Sequence, residues 1–341
     1  MATADVYFHP IFLEHDTGDH PECAERLVVA RRRLLQSGMG IEWIEPTPAE
    51  VEAVARVHDS AYIRAVHRMA DAGGGSLDPD TVVSPLSYSA AMYAAGAGIQ
   101  AVERALHGGR RSFLLVRPPG HHARREWAMG FCLFNNVAIA AAHALEELGV
   151  ERVLIVDWDV HHGNGTQEAF YDDPRVLYCS FHLGRHFPGT GSMDEIGVGR
   201  GLGYTANLPL MHGAGDGAAS AFFSSVIGPL AEAFDPQLVL VSAGYDSGEG
   251  DPLGGLRLTR EAFRWMSGTL GGMCARSGAA GPVCFLEGGY DTDVLASGIE
   301  ATIEGLIEGP GEMSAQPTGA EAAAVETLTR RLSAHWAGVL T

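Results

Sequence analysis

Short, nearly continuous apolar runs recur along the chain, and longer stretches with helical spacing lie between them. The runs are DVYFHP (5–10), IEWIEP (41–46), SFLLVRP (112–118), RVLIVDWD (152–159), RVLYCSFH (175–182), TANLPL (205–210), QLVLVSAG (237–244) and PVCFLEGG (282–289). Several lack the apolar-polar alternation of a half-exposed strand, so they read as strands covered on both faces, as in a parallel sheet. Helical spacing occupies 22–36, 59–72, 84–107, 134–149, 216–234, 259–276 and 291–307. This alternation predicts an α/β fold. No linker divides it, since Gly73-Gly74-Gly75 is only a short turn, and residues 1–341 read as one domain with its core over 5–307. Past residue 308 the segment GPGEMSAQPTGAEAAA is poor in large apolar residues, and a helical extension over 319–337 follows it. GVGRGLG (197–203) is not a dinucleotide fingerprint, because it leads into a strand where such a loop must open a helix.

Composition narrows what this fold does. At 341 residues and 46% hydrophobic content the chain is long enough to bury a large core. A net charge of -19 argues against nucleic acid as a direct ligand, because phosphate binding needs a basic surface. All 23 basic residues are arginine. The absence of lysine excludes Schiff-base chemistry, pyridoxal phosphate anchoring, the phosphate-loop lysine and the protein-kinase fold. The five cysteines, Cys23, Cys132, Cys179, Cys274 and Cys284, form no CxxC pair and sit mostly among apolar residues. That usage favours free thiols and a reducing cytoplasm as the expected location. MATADVYFHP has neither a basic start nor an apolar stretch of signal length, and no segment approaches the ~20 apolar residues of a membrane span, so no membrane partner is expected.

Ligands of an open parallel sheet bind beyond the carboxyl ends of its strands. Five predicted strands end in residues capable of chemistry: SFLLV in RPPGHH, RVLIV in DWDVHHGNG, RVLYC in SFHL, QLVLV in SAGYD and PVCFL in EGGYD. Asp159 and His161 lie two apart in what reads as an extended segment, so both leave one face, and a carboxylate with an imidazole suits zinc. Asp246 supplies a third ligand and leaves the fourth position open, the arrangement of catalytic rather than structural sites. Asp157, one pleat back, orients a neighbouring group. His121-His122 has no ligand spacing of its own but suits proton transfer beside a metal, with a carboxylate or amide behind each ring setting its tautomer. Tyr290 follows Gly288-Gly289, whose backbone freedom aims a phenol inward as an oxyanion donor. Taken singly, each residue has an ordinary explanation as a turn cap or a structural histidine, and His9, His58, His67, His107, His143, His212 and His335 stay in that class. Their joint occurrence weighs the other way, because a buried cluster of acids and histidines is costly unless a cation or a reaction offsets the desolvation.

Nearly the whole chain, over 5–307, carries motifs in an order that resembles the zinc-dependent histone deacetylase superfamily, which includes acetylpolyamine deacetylases and acetoin-utilisation proteins. The motifs are DHPECAERL (19–27), RPPGHHA (117–123), GFCLFNN (130–136), VDWDVHHGNGT (156–166), SFH (180–182), FPGTG (187–191), AGYDSGEGDPLG (243–254) and EGGY (287–290). DHPE and the Asn164 of HHGNG are similar to the class II branch. The resemblance implies a single-domain arginase/deacetylase fold, α/β, with a mostly parallel sheet of about eight strands flanked by helices.

It also implies that Asp159, His161 and Asp246 hold zinc, a set that iron(II) could equally occupy. His122 is expected to act as general base and acid with Asn164 behind it, and His121 as its electrostatic partner with Asp157 behind it. Class I relatives carry an aspartate at the Asn164 position, so the charge behind His122 is absent here and its basicity is expected to be lower. Tyr290 polarises the carbonyl. Phe131 and Phe187 resemble the aromatics of an acyl-lysine tunnel, with the Gly130 carbonyl facing the substrate amide; Arg26 resembles the arginine of an acetate-release channel, and His20 and Glu22 are expected at the rim. Structural potassium is implied at Asp157, Asp159, His161, Ser180 and Phe181, with a weaker site at Phe170, Asp173, Val176 and Tyr204. The implied reaction is hydrolysis of an N-acyl amide, in acyl-lysine or a small acylated amine. Leu253 stands near where acetylpolyamine-selective relatives often carry a glutamate, which favours acyl-lysine. A two-manganese ureohydrolase would need acids at positions held here by Gly163 and Gly248. A non-catalytic binder of acetylated ligands would be expected to have lost Tyr290, His122 or a metal ligand, and none is lost. A homo-oligomer stays open.

Overall fold

A computed structural model describes residues 3–340. Among them, eight strands form one sheet: β1 (Ala4–Tyr7), β2 (Ile41–Ile44), β3 (Ser112–Leu114), β4 (Val153–Asp157), β5 (Val176–Leu183), β6 (Thr205–Leu210), β7 (Leu238–Ala243) and β8 (Ala280–Leu286). Every neighbouring pair is parallel, in the order β2-β1-β3-β8-β7-β4-β5-β6. All residues of β4, β5 and β7 are buried, which is why those strands read as unbroken apolar runs. The strands whose ends carry the five polar motifs, β3, β8, β7, β4 and β5, are consecutive in this order. The motifs are scattered over 170 positions of sequence, yet the topology sets their strand ends side by side.

Helices form the outer layers. Ser87–Gly108 packs on Asn136–Glu147 and on β8, while Arg260–Ser277 packs on Thr292–Glu308, which in turn meets Glu25–Gln36. The first pair is rich in alanine and glycine, so its backbones come close to each other and to the sheet. A Cβ on Gly98 would meet the Phe285 ring of β8 and the Ala140 methyl. Caps fix the helix starts at bonds the sequence encodes: Asn135 accepts from Ala138 N at 3.0 Å, and Asp291 Oδ1 from Val294 N at 2.9 Å. A capping box between Thr318 and Glu321 opens the last helix, Gly319–Leu332, which lies along edge strand β6. Past it, Trp336 Nε1 donates to the Gly203 carbonyl at 2.7 Å.

Three details differ from the sequence expectation. Residues Asp216–Phe234 are a helix interrupted by a π segment at Phe223–Ile227. By length and composition this 19-residue stretch could cross a membrane, but Phe222, Val226 and Leu230 are packed inside the protein. A short helix, Asn164–Phe170, follows the central histidines, and a small antiparallel pair, Gly75–Ser76 with Val82–Val83, occupies what reads in sequence as a plain turn. Both are too short to carry a periodic signal.

Candidate active site

β4 ends at Asp157, and the chain then bends rather than staying extended. The bend is an Asx turn in which Asp159 Oδ1 accepts from His161 N at 2.8 Å. It brings His161 Nδ1 to 3.0 Å from Asp159 Oδ1 and 3.3 Å from Asp246 Oδ2. Asp246 arrives from beyond β7, and its Oδ1 accepts from Val160 N at 2.9 Å. Asp159 Oδ2 accepts from Gly288 N at 2.8 Å, which ties the loop after β8 into the same cluster. Glycine is required at position 288, because a Cβ there would overlap both carboxylates.

One oxygen of the three ligands has no partner. Asp246 Oδ2 is fully buried and accepts no hydrogen bond, although it sits beside a second carboxylate. An unsatisfied carboxylate oxygen in the interior is expensive unless a cation meets it. Burial and the Asp159 charge push the Asp246 carboxyl up to about 7. Burial alone would lower His161, but the hydrogen bond to Asp159 and the nearby Asp246 carboxylate outweigh that and raise it to about 10. Two carboxylates and an imidazole nitrogen, all buried and within 4.8 Å of one another, therefore fit a divalent ion by donor set and by charge. It is the one such cluster among the described residues. A Cβ at Gly163 would overlap the Asp157 carboxylate, and one at Gly248 the Val294 side chain, so neither position has room for the acid that a second ion would need.

The histidine pair stands beside this cluster with its rings 4.0 Å apart. Glu287 holds their backbone: its Oε2 accepts from Gly120 N at 2.7 Å and His121 N at 3.1 Å. His121 Nδ1 donates to Asp157 Oδ2 at 3.1 Å. The charges of Asp159, Asp157 and Glu287 overcome its burial and raise it to about 10. His122 Nδ1 lies 2.8 Å from Asn164 Oδ1. The Asn164 amide nitrogen faces Met129 Sδ at 3.3 Å, and a thioether can only accept, which fixes the amide orientation. Nδ1 of His122 is then the donor, and Nε2 is left as a lone-pair acceptor. Burial, with the positive charges on His121 and His161, drives His122 well below its ordinary value.

Above these groups opens a cavity of about 370 Å³. Phe187, His186 and Leu253 line it together with Gly130, Phe131 and Tyr290. The Phe187 ring stands edge-on to His122 at 5.1 Å, and Phe131 edge-on to Tyr290 at 5.7 Å. Gly130 and Phe131 both take left-handed φ angles, of 55° and 69°. For Phe131 that is a strained conformation, held by its N–H donating to Thr81 Oγ1 at 3.1 Å. A Cβ at Gly130 would overlap the His122 ring.

Glu22 requires a correction. It is not at the rim but fully buried, where Oε1 accepts from Arg26 at 2.9 Å and Arg117 at 2.6 Å, and Oε2 from Arg117 at 2.8 Å. Burial raises a carboxyl, but the Arg117 and Arg26 charges win and bring Glu22 down from 4.5 to about 2. Its ion-cluster contribution to stability is thus complete above pH 4.5 and lost as pH falls toward about 2. Glu22→Gln leaves two buried guanidiniums short of a counter-charge, and we expect it to cost roughly 3–5 kcal/mol in urea denaturation at neutral pH. A loss under about 1 kcal/mol there would contradict the cluster's role. His20, by contrast, is half-exposed and packs edge-on against Phe131 at 4.5 Å. Arg26 also donates to the Gly289 and Glu287 carbonyls, both at 2.6 Å, and passes 5.1 Å from the Tyr290 ring centre. Ser180 pairs in register with Asp157 across β4 and β5. Phe170, Asp173, Val176 and Tyr204 gather where the short helix meets β5 and β6, with the Phe170, Asp173 and Tyr204 carbonyls each accepting one backbone bond.

Several residues with work at this site escaped the sequence reading. Asp251 receives Tyr290 N at 2.6 Å and Asp291 N at 2.9 Å, and so anchors the tyrosine loop. Buried His58 bridges the Arg124 carbonyl at 2.9 Å and Asn135 N at 2.8 Å, pinning both ends of the segment that carries Gly130 and Phe131. Asp80 lines the cavity wall beside them. A spacing signal existed for Asp251 alone, as part of the AGYDSGEGDPLG motif.

The histone deacetylase domain profile matches residues 20–306. The human protein named polyamine deacetylase HDAC10 is 40% identical over 359 aligned residues, covering 98% of this chain and 53% of that protein. The chain thus spans about half the length of that relative. A probable deacetylase of Methanothermobacter thermautotrophicus is 37% identical over 97% of this chain and 99% of its own. Among solved structures, the HDA15 HD domain superposes with a TM-score of 0.91 at 35% identity, over 98% of this chain and 96% of that one.

Proposed function

This chain belongs to the histone deacetylase family, and from that premise we propose that it hydrolyses the N-acyl amide of acyl-lysine to a free amine and a carboxylate. The observation that carries the reading is the unpartnered Asp246 Oδ2, 3.3 Å from a His161 that lines an aromatic-walled cavity together with His122, whose Nε2 is free to accept a proton. Asp159, His161 and Asp246 would hold a divalent ion, zinc or iron(II), which when bound would supply Lewis acidity for the acyl carbonyl and the attacking water. The rest of the work falls to side chains. His122 Nε2 takes a proton from the attacking water as its oxygen bonds to the acyl carbon. Tyr290, kept protonated because burial and the Asp246 charge raise its hydroxyl well above the ordinary value, donates a hydrogen bond to the oxyanion. The C–N bond then breaks as the imidazolium of His122 returns a proton to the departing amine. Phe131 and Phe187 exclude water from the chain leading to the amide. Carbonyl oxygens at Asp157, Asp159, His161 and Phe181, with Ser180, are the groups that would hold a structural potassium ion.

Asn164 sets the working pH. Asn164→Asp puts a carboxylate 2.8 Å behind His122 and raises its pKa. Because His122 must start neutral, the acid limb of kcat/KM moves upward by about 1–2 pH units. A profile with an unmoved acid limb would remove His122 from the base role.

The test of the reading is a hydrolysis profile across acetyl-lysine, longer acyl-lysine and acetylpolyamine substrates, with metal analysis of the same sample. A metal-free, inert protein would favour a binding role. An acetylpolyamine substrate is the second reading, favoured by the name of the human relative and by Asp80 on the cavity wall. Leu253 speaks for acyl-lysine, since it puts an apolar side chain at the cavity where a second ammonium would want a carboxylate. Leu253→Glu is expected to raise the acetylpolyamine to acetyl-lysine ratio of kcat/KM about tenfold; an unchanged ratio would show that this position does not choose the substrate.

A further inference from the structure

A second cavity of about 410 Å³ opens beside the first. Its lining includes Asp59, Tyr62, Leu77, Glu126 and Trp127, and no arginine or histidine. Trp127 is 60% exposed, an unusual place for an indole in a chain that buries Trp158 completely. The two cavities have no lining residue in common, but the same two chain segments line both. The turn that gives Leu77 to this cavity gives Asp80 to the catalytic one, and the segment that gives Trp127 and Ala128 here gives Gly130 and Phe131 there. The members of each pair are three positions apart in sequence, a span of at most about 10 Å.

Neither wall is loose. Leu77 N donates to the Thr81 carbonyl at 3.0 Å, Arg124 N to the Trp127 carbonyl at 2.8 Å, and Thr81 joins the two walls through its bond to Phe131 N. Asp59 spends one oxygen capping Ala61 N at 2.6 Å and keeps the other. An exposed indole beside two carboxylates, with the apolar side chains of Leu77, Ala61 and Ala65 below, matches a cation carried on an aliphatic stem: the stem covers the apolar floor while the head meets the ring face and the acids. Given the shared segments, we infer that this cavity is an exosite for an unmodified arginine or lysine side chain two or three residues away from the acylated lysine in a substrate peptide. At ~3.3 Å per residue an extended peptide covers the separation in that count. The inference deepens the acyl-lysine reading, and of the two substrate classes it selects proteins with basic flanks over isolated small amines. The net charge of -19 adds long-range attraction to the same peptides.

Binding tests it without any turnover. The protein is titrated with a short arginine-rich peptide lacking any acylated residue, and with counterparts carrying glutamate or leucine in place of arginine, following tryptophan emission with Trp127→Phe as the blank. The expected result is saturable quenching by the arginine peptide alone, weakened about tenfold by Glu126→Gln and further as salt rises from ~0.1 to ~1 M. Equal binding of the leucine peptide, or no binding that depends on Trp127 and Glu126, overturns the exosite whatever the protein hydrolyses. In kinetics, arginine at the flanking position lowers KM about tenfold relative to glutamate, Trp127→Ala erases the difference, and the KM of a single acetyl-lysine amide stays unchanged. Glu126→Arg reverses the preference. If the arginine peptide binds as expected and no acylated substrate is cleaved, the hydrolysis reading falls while the exosite stands.

Discussion

Asp246→Asn leaves a folded protein that no longer responds to zinc and hydrolyses acetyl-lysine amide at least about 10³-fold more slowly. The geometry separates the two halves of this expectation. Asp246 Oδ1 accepts from Val160 N at 2.9 Å, and an asparagine oxygen keeps that bond. The other oxygen, Oδ2, accepts no hydrogen bond and has only a 3.3 Å contact with His161 Nδ1, so the amide gives up that one contact while it removes a buried charge that faces the Asp159 carboxylate. The metal-free variant should therefore be as stable as the metal-free parent, or slightly more so. What disappears is one of two negative charges and one of three ligands. For the parent, saturating zinc adds stability as RT ln(1 + [L]/Kd), about 4 kcal/mol at a thousandfold excess over Kd, and a Tm rise of several degrees follows. In Asp246→Asn that rise is absent. Calorimetry with and without added metal, alongside turnover, checks both parts. A parent with no Tm response to zinc or iron(II), or a variant with turnover within tenfold of the parent, would remove the metal from the account.

The aligned strand ends explain why so much of this site is legible in the sequence. Asp159, His161, Asp246 and Tyr290 each follow an apolar run directly, and a parallel sheet sends every such residue to the same edge. What the runs do not encode is strand order. β4 and β5, and β7 and β8, follow one another in sequence, but the adjacency of β7 to β4 and of β8 to β3 joins segments far apart in the chain, and only the folded chain shows it. The ligand geometry was reached by a different local route than the alternation predicted. Asp159 and His161 converge through an Asx turn beyond the strand, not through a shared pleat, because an aspartate next to a strand end captures a nearby N–H once ladder partners run out.

Glu22 shows the opposite failure. The family resemblance implied a place at the rim with His20, but His20 Nδ1 accepts from Glu22 N at 3.0 Å and the Glu22 side chain is buried while His20 stays half-exposed. The residues that then claim Glu22 include Arg117, ninety-five positions along the chain. Glu287 was given no role, and His58, rightly read as structural, no link to the site, for the same reason: each works by bonding backbone groups at positions 120, 121, 124 and 135, and a hydrogen bond to a distant peptide group leaves no mark on residue spacing. Chemistry that depends on strand ends is written locally, whereas the scaffold that aims it is written in contacts between segments far apart.

The second large effect is expected from Tyr290→Phe, which should lower kcat by about 10²–10³-fold with KM changed less than about threefold. The substitution removes only the hydroxyl. The ring keeps its edge-on contact with Phe131 at 5.7 Å and its place 5.1 Å from the Arg26 guanidinium, and the loop keeps its anchor in the bond from Tyr290 N to Asp251 at 2.6 Å. Cavity shape, metal uptake and Tm should therefore match the parent. The hydroxyl acts only when the planar carbonyl becomes tetrahedral and its oxygen gains charge, so its loss falls on kcat rather than on ground-state binding. Since burial and the Asp246 charge hold the phenol in its neutral form, it donates across the whole working pH range, and the pH profile of Tyr290→Phe should keep the shape of the parent. If kcat is retained within threefold, the oxyanion is being held by something else; if KM carries the loss, Tyr290 serves substrate binding and not the transition state.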